Sequence, residues 1–210
     1  MGEHINAPDD RGLLARAGLL VMEQLLPPDS LAQLRAEALA LESSASESHF
    51  EADSAHELRG GRPAMSLRIN TGGSTLQSMY KHPSILSMIE RLAARAISPS
   101  GPRGCFNYYT RPCDHMGLHR DTEGCEVTLI TCLVDAGARK DSLGGALRIY
   151  RDHISTPLSG VRALPVDQAL HVRLRVGESL LMLGGALPHA LLPIDAGQRR
   201  VVSALCYNAS

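Results

Sequence analysis

Apolar positions dominate residues 13–26, and the run stops at Pro27-Pro28-Asp29-Ser30, a turn followed by a helix start. Leu31, Leu34, Ala38 and Leu41 then recur at helical spacing, which predicts an amphipathic helix over 30–43. Residues 42–63 are polar and rich in Ser and Gly and read as a loop that could serve as a lid, whereas 65–69 alternate like a short strand. A second helix is expected after Pro83, with Ile85, Ile89, Leu92 and Ala96 on one face. Beyond Pro102 the period changes. Short runs at 104–110, 125–134, 145–151, 171–176, 178–184 and 200–207 are separated by Gly, Pro and Asp turns, the pattern of an all-β sandwich or barrel. The expectation is a single domain, 1–210, with an N-terminal helical and lid region over 12–100 and a β-rich body over 101–210.

Composition narrows the function classes. With 44% hydrophobic and 20% charged residues, the chain can build an ordinary globular core. It has no Trp and only two Phe, so that core must be largely aliphatic. A net charge of -1 and the shortage of stacking aromatics argue against a nucleic-acid partner. No run approaches the ~20 apolar residues that span a bilayer, so no membrane partner is expected. Residues 1–11 carry acidic groups and no apolar centre, unlike a secretory signal. Five cysteines without a C-x-x-C pair suit a reducing compartment better than a disulfide framework, so a cytoplasmic protein is expected.

The informative segment is His119-Arg120-Asp121. On a strand, residues two apart share a face, so the imidazole and the carboxylate can aim at one point while Arg120 turns away. Alone, such a triplet reads first as an ion pair at a surface strand end. With a third ligand it becomes the facial triad of a non-haem iron site. His189, 68 residues after Asp121 and just beyond the apolar run 179–183, stands where that ligand is needed. Eleven residues later comes Arg200, opening the run 200–207. An arginine on a buried strand requires an anion, and its planar fork suits a carboxylate. Arg199 and Arg200 point to opposite faces. Arg200, which shares its face with the small residues Val202, Ala204 and Cys206, is preferred as the anchor on its eleven-residue spacing from His189 and the downstream Tyr207-Asn208.

This order of residues resembles the Fe(II)/2-oxoglutarate-dependent dioxygenases. Asn107-Tyr108-Tyr109 is similar to the Asn-x-Tyr that precedes the iron motif in alkylation-repair members. Gly144-Gly145-Ala146-Leu147 looks like the hairpin between the two ligand strands, and 176–181 like the Gly-acidic-apolar run before the distal His. Arg200 followed by Tyr207-Asn208 resembles the ending of phytanoyl-CoA and ectoine hydroxylases. The resemblance covers 104–208. It implies a mainly β fold with N-terminal helices, a double-stranded β-helix or jelly-roll. Fe(II) would be held by His119, Asp121 and His189, and 2-oxoglutarate by Arg200, with Tyr109 and Asn107 as hydrogen-bond donors. The implied activity is that of an oxidoreductase consuming O2 and releasing succinate and CO2, a hydroxylase of a small amino acid or natural-product intermediate.

Other readings stay open at this point. They are a nucleic-acid or protein-residue hydroxylase of the same superfamily, and a cupin-like binding module without turnover. Asp121 disfavours halogenation, since halogenases of the superfamily replace that carboxylate with a small residue. His115 is read as solvated or substrate-facing, and His153 and His171 as surface histidines. Arg68, Arg148 and Arg151 are read first as solvated arginines, and Cys113 and Cys125 as packing residues.

Overall fold

Strand order follows from two kinds of apolar face, one that meets helices and one that closes on itself. The computed structural model describes residues 12, 17–52, 62–101 and 104–209; the polar start, 1–11, lies outside them. In chain order the strands are β1 (Leu19–Met22), β2 (Ser46–Phe50), β3 (Met65–Thr71), β4 (Ile97–Pro99), β5 (Cys105–Tyr109) and β6 (His115–His119). They continue with β7 (Val127–Ala136), β8 (Leu147–Ile149), β9 (Leu170–Val172), β10 (Ser179–Met182), β11 (His189–Leu191) and β12 (Arg199–Ala209). The helices are α1 (Pro28–Leu41), α2 (Ser74–Tyr80), α3 (Pro83–Ala93) and α4 (Leu158–Arg162).

The sheet runs β1-β10-β7-β12-β5-β3-β6-β11-β8-β9, with β2 on β3 and β4 on β12; every pairing is antiparallel. Leu67, Tyr109, Leu180 and Val202 from the long half (β1, β10, β7, β12, β5 and β3) share one core with Leu147, Ile149 and Leu191 from the short half (β6, β11, β8 and β9). The two halves therefore face each other across a common interior. The fold is the mainly β jelly-roll with N-terminal helices that the sequence implied.

The outer face of the long half carries Phe106, Tyr108, Leu129, Val201 and Leu205, which pack with Leu34 and Ala38 of α1 and with Leu76 and Ile89. Burying each such leucine stabilises by about 1.5–3 kcal/mol. Tyr108 adds a bond from its hydroxyl to the Ala38 carbonyl, 2.8 Å, which ties α1 to the sheet. Proline in the first turn of α1 suits a helix start, where its missing N–H is not needed.

Three expectations change. The polar stretch 42–63 is not all loop: a 3-10 turn and β2, hydrogen-bonded along β3, occupy much of it, because edge strands tolerate polar side chains. Residues 53–61 of that stretch lie outside the described residues. The helix after Pro83 ends at Ala93, before Ala96, because Ala94 turns left-handed at φ 52°. Finally, Cys125 and Cys206 form a disulfide, so the five cysteines are not all thiols. The register brings them together: Cys206 pairs with Thr128, three residues beyond Cys125.

Candidate metal centre

His119 closes β6 and His189 opens β11, and antiparallel pairing sets them directly opposite one another. Their rings lie 4.3 Å apart. Asp121 is two residues past the end of β6, where its N–H donates to the Gly184 carbonyl at 3.0 Å. Its Oδ1 lies 3.5 Å from Nε2 of His119 and 3.6 Å from Nε2 of His189. One nitrogen or oxygen from each of the three falls within 4.8 Å of the others, a spacing that could hold a metal ion.

The backbone fixes which nitrogen each imidazole presents. Nδ1 of His119 donates to the Gly117 carbonyl and Nδ1 of His189 to that of Leu187, both at 2.8 Å. That leaves the Nε2 atoms to converge on Asp121. Burial and the neighbouring His119 push His189 down to about 4, so it stays a neutral donor at pH 7. Burial opposes ionisation of Asp121, but His189, His119 and the Thr128 hydroxyl outweigh it and hold the carboxyl well below the usual range. Thr128 donates to Oδ2, which leaves Oδ1 toward the imidazoles. Gly184 passes so close that a Cβ there would overlap Oδ2 of Asp121 and Oγ1 of Thr128.

Arg200 faces the same interior. It pairs across the sheet with Tyr109 on one side and Asp135 on the other, and is 1% exposed. Its Nη1 reaches Oδ2 of Asp135 and the Leu174 carbonyl, each at 3.1 Å, whereas its Nε is buried without a partner. Gly145, at φ 72°, packs flat against it: a Cβ would stand 2.9 Å from Cδ of Arg200. Tyr109 and Asn107 alternate inward on β5, with Tyr108 turned to the helices. Arg199 lies on the opposite face, in an ion pair with Glu42 that Arg68 shares at 2.9 Å.

No family model and no curated protein matches the sequence. Solved structures do. The epimerase SnoN of nogalamycin biosynthesis, described as non-haem and alpha ketoglutarate dependent, superposes with a TM-score of 0.65 at 17% identity, over 93% of this chain and 79% of its own. A prolyl hydroxylase from Trichoplax adhaerens, in complex with a peptide of hypoxia inducible factor, gives 0.63 at 18% identity over 93% and 86%. HygX from Streptomyces hygroscopicus, with nickel and 2-oxoglutarate bound, gives 0.61 at 14% identity over 91% and 82%. The chain shares the fold of these enzymes.

In this fold, donor atoms of His119, Asp121 and His189 lie within 4.8 Å of one another, while Arg200 pairs with Tyr109 across β12 and β5, two residues from Asn107. Sequence reasoning missed three residues of the arrangement. Thr128 was legible only as a polar residue on an otherwise apolar strand, Gly184 only as half of a Gly-Gly pair. Asp135 was hidden by a bulge. Val202 pairs with Cys132 but Val201 with Val134, so Leu133 is extra and the inward parity shifts by one. His115 stands at the other end of β6, half-buried, with Nδ1 bonded to the Cys113 carbonyl.

Proposed function

We propose that the chain is an Fe(II)- and 2-oxoglutarate-dependent oxygenase that hydroxylates a small molecule. The observation that carries the reading is the convergence of two Nε2 atoms and one carboxylate oxygen from two separate segments. That donor set, with a single carboxylate and two imidazoles, suits a non-haem ferrous ion. The buried, unpartnered Nε of Arg200 suits a carboxylate placed deeper in the same interior.

On this reading His119, Asp121 and His189 hold the ion, and Arg200 with Tyr109 and Asn107 receives the far carboxylate of 2-oxoglutarate. Bound together, ion, co-substrate and O2 supply the oxidation, with succinate and CO2 as co-products. The protein's own contribution is placement. The carbonyls of Gly117 and Leu187 lock the imidazole tautomers, and Thr128 holds Asp121 by one oxygen. Burial raises the Tyr109 phenol far above its ordinary range, so its hydroxyl keeps its proton and remains a donor. The partly buried Met65, Ile69 and Met116 pack on the inner core and give the interior apolar walls that exclude water. A small molecule is preferred because net charge is near zero and stacking aromatics are scarce. SnoN, which has been solved with Fe3+, alpha ketoglutarate and nogalamycin RO, offers a precedent on this fold.

One observation favours a second reading, a metal-binding module without turnover: Arg200 already has the Asp135 carboxylate at 3.1 Å. Succinate release separates the two. The protein, with Fe(II), 2-oxoglutarate and O2, is screened against amino acids and natural-product intermediates. Oxygenase function predicts succinate whose yield rises with one of these compounds. Metal binding with no succinate under any condition favours the module.

A further inference from the structure

We propose a second ligand site, for a tetrahedral oxyanion such as phosphate or a phosphate monoester, on the outer face of the short half-sheet behind the candidate metal centre. The site begins with strand parity. Leu147 and Ile149 of β8 are buried in the inner core, so Arg148 between them faces outward. Register sets Arg148 beside His171 of β9 and Ala190 of β11, while His189, one residue before Ala190, turns to the candidate metal centre. One three-residue strand thus separates the two places.

The outer place is a cavity of about 210 Å³, several times the roughly 30 Å³ that a water molecule occupies. His115, Arg148, Tyr150 and Arg162 line it, from three different stretches of chain, and no acidic side chain does. The loop after β8 is pinned over this region by Arg120, whose guanidinium donates to the carbonyls of Ala186, His153, Ile154 and Thr156 at 2.7–3.1 Å.

Two buried polar atoms on this face lack protein partners, both on the Arg148–His171 pair. The Nε of Arg148 is buried without a hydrogen bond, and among the described residues no carboxylate pairs with this guanidinium. Tyr150, 3% exposed, stacks its ring edge-on against His153 and lines the same cavity. Beside Arg148, the Nε2 of His171 is the second buried polar atom without a partner. A half-buried cation with no counter-ion is costly, and a buried polar atom without a bond is equally disfavoured. An anion in the cavity relieves both. Donors that approach from several directions fit the tetrahedral array of phosphate oxygens better than the single plane of a carboxylate.

The test is an NMR titration of the full chain, without added metal, with inorganic phosphate at constant ionic strength. Saturable one-to-one binding is expected, with shifts centred on β8 and β11. Arg148→Gln should weaken it about ten- to a hundredfold, the loss of one charge-assisted hydrogen-bonding group. Tyr150→Phe should weaken it less, and serves if the Arg148 variant does not fold. His189→Ala should leave it unchanged. Absence of saturable phosphate binding overturns the proposal. So does binding that is lost in His189→Ala but kept in Arg148→Gln, which would put phosphate in the candidate metal centre. Acetate binding as tightly as phosphate also overturns it.

Discussion

Thr128 gives its hydroxyl hydrogen to Oδ2 of Asp121, and this bond decides which carboxylate oxygen faces His119 and His189. Groups that orient a metal ligand without touching the metal are worth 10- to 100-fold in affinity. Thr128→Val keeps the size and strand preference of the side chain but removes the donor. It should therefore weaken divalent-metal affinity by about 10- to 100-fold, measured by calorimetry, with little change in melting temperature. Unaltered affinity would mean that Asp121 is held by other groups.

Gly184 is a steric counterpart to that bond. Gly184→Ala puts a methyl group where the Asp121 carboxylate now lies, so the carboxylate must move. Metal binding should fall sharply, and stability by about 1–3 kcal/mol, the usual cost of overpacking. Urea unfolding and metal titration of the same sample check both parts. A variant with native metal affinity would contradict the placement of Asp121.

Substituting the two adjacent arginines tests the proposed anchor. Arg200→Ala should weaken 2-oxoglutarate binding by about one and a half to three and a half decades, by analogy with other truncated ion pairs at 1.4 kcal/mol per decade. Arg199→Ala removes a partner of Glu42 on the helix side and should leave co-substrate affinity unchanged, with at most about 1 kcal/mol lost in stability. Because Arg200 also pairs with Asp135, Arg200→Lys is measured alongside to keep the charge in place. Weak binding only in the Arg199 variant would reverse the assignment of the strand faces.

Much of this arrangement is legible in the sequence because strand parity is a rigid rule. Arg200 and Arg199 fall on opposite faces of β12 as alternation requires, and Tyr108 and Tyr109 divide in the same way on β5. The rule fails where a residue is inserted. Counting inward positions from Thr128 sends Asp135 outward, and only the extra residue at Leu133 turns it toward Arg200. Short elements were equally hidden. Helix α2 has seven residues and β11 three, too few for a period to show. The Cys125–Cys206 disulfide joins positions 81 residues apart and depends on the β7–β12 register, which no local pattern reports.

The cysteines give a check that is independent of the metal. Burial, with Asp121 nearby, pushes the Cys105 thiol up to about 11, and burial also raises Cys132. At pH 8 Cys105 is therefore about one part in a thousand thiolate, the form that reacts. Cys113 is exposed. Native iodoacetamide labelling at pH 8, read by mass spectrometry, should modify Cys113 first and recover Cys125 and Cys206 as a linked peptide pair. Labelling of Cys105 should stay slow and rise with each further pH unit up to about 11. Rapid modification of Cys105 or Cys125 at pH 8 would contradict the packing described.

The account turns on a metal-dependent co-substrate site built from His119, Asp121, His189 and Arg200. The most direct measurement is anaerobic titration of 2-oxoglutarate into the protein with and without Fe(II), repeated for His189→Ala. The account predicts one-to-one binding that requires the metal and is lost in the variant. Binding that is equally tight without Fe(II), or that survives His189→Ala, would contradict it.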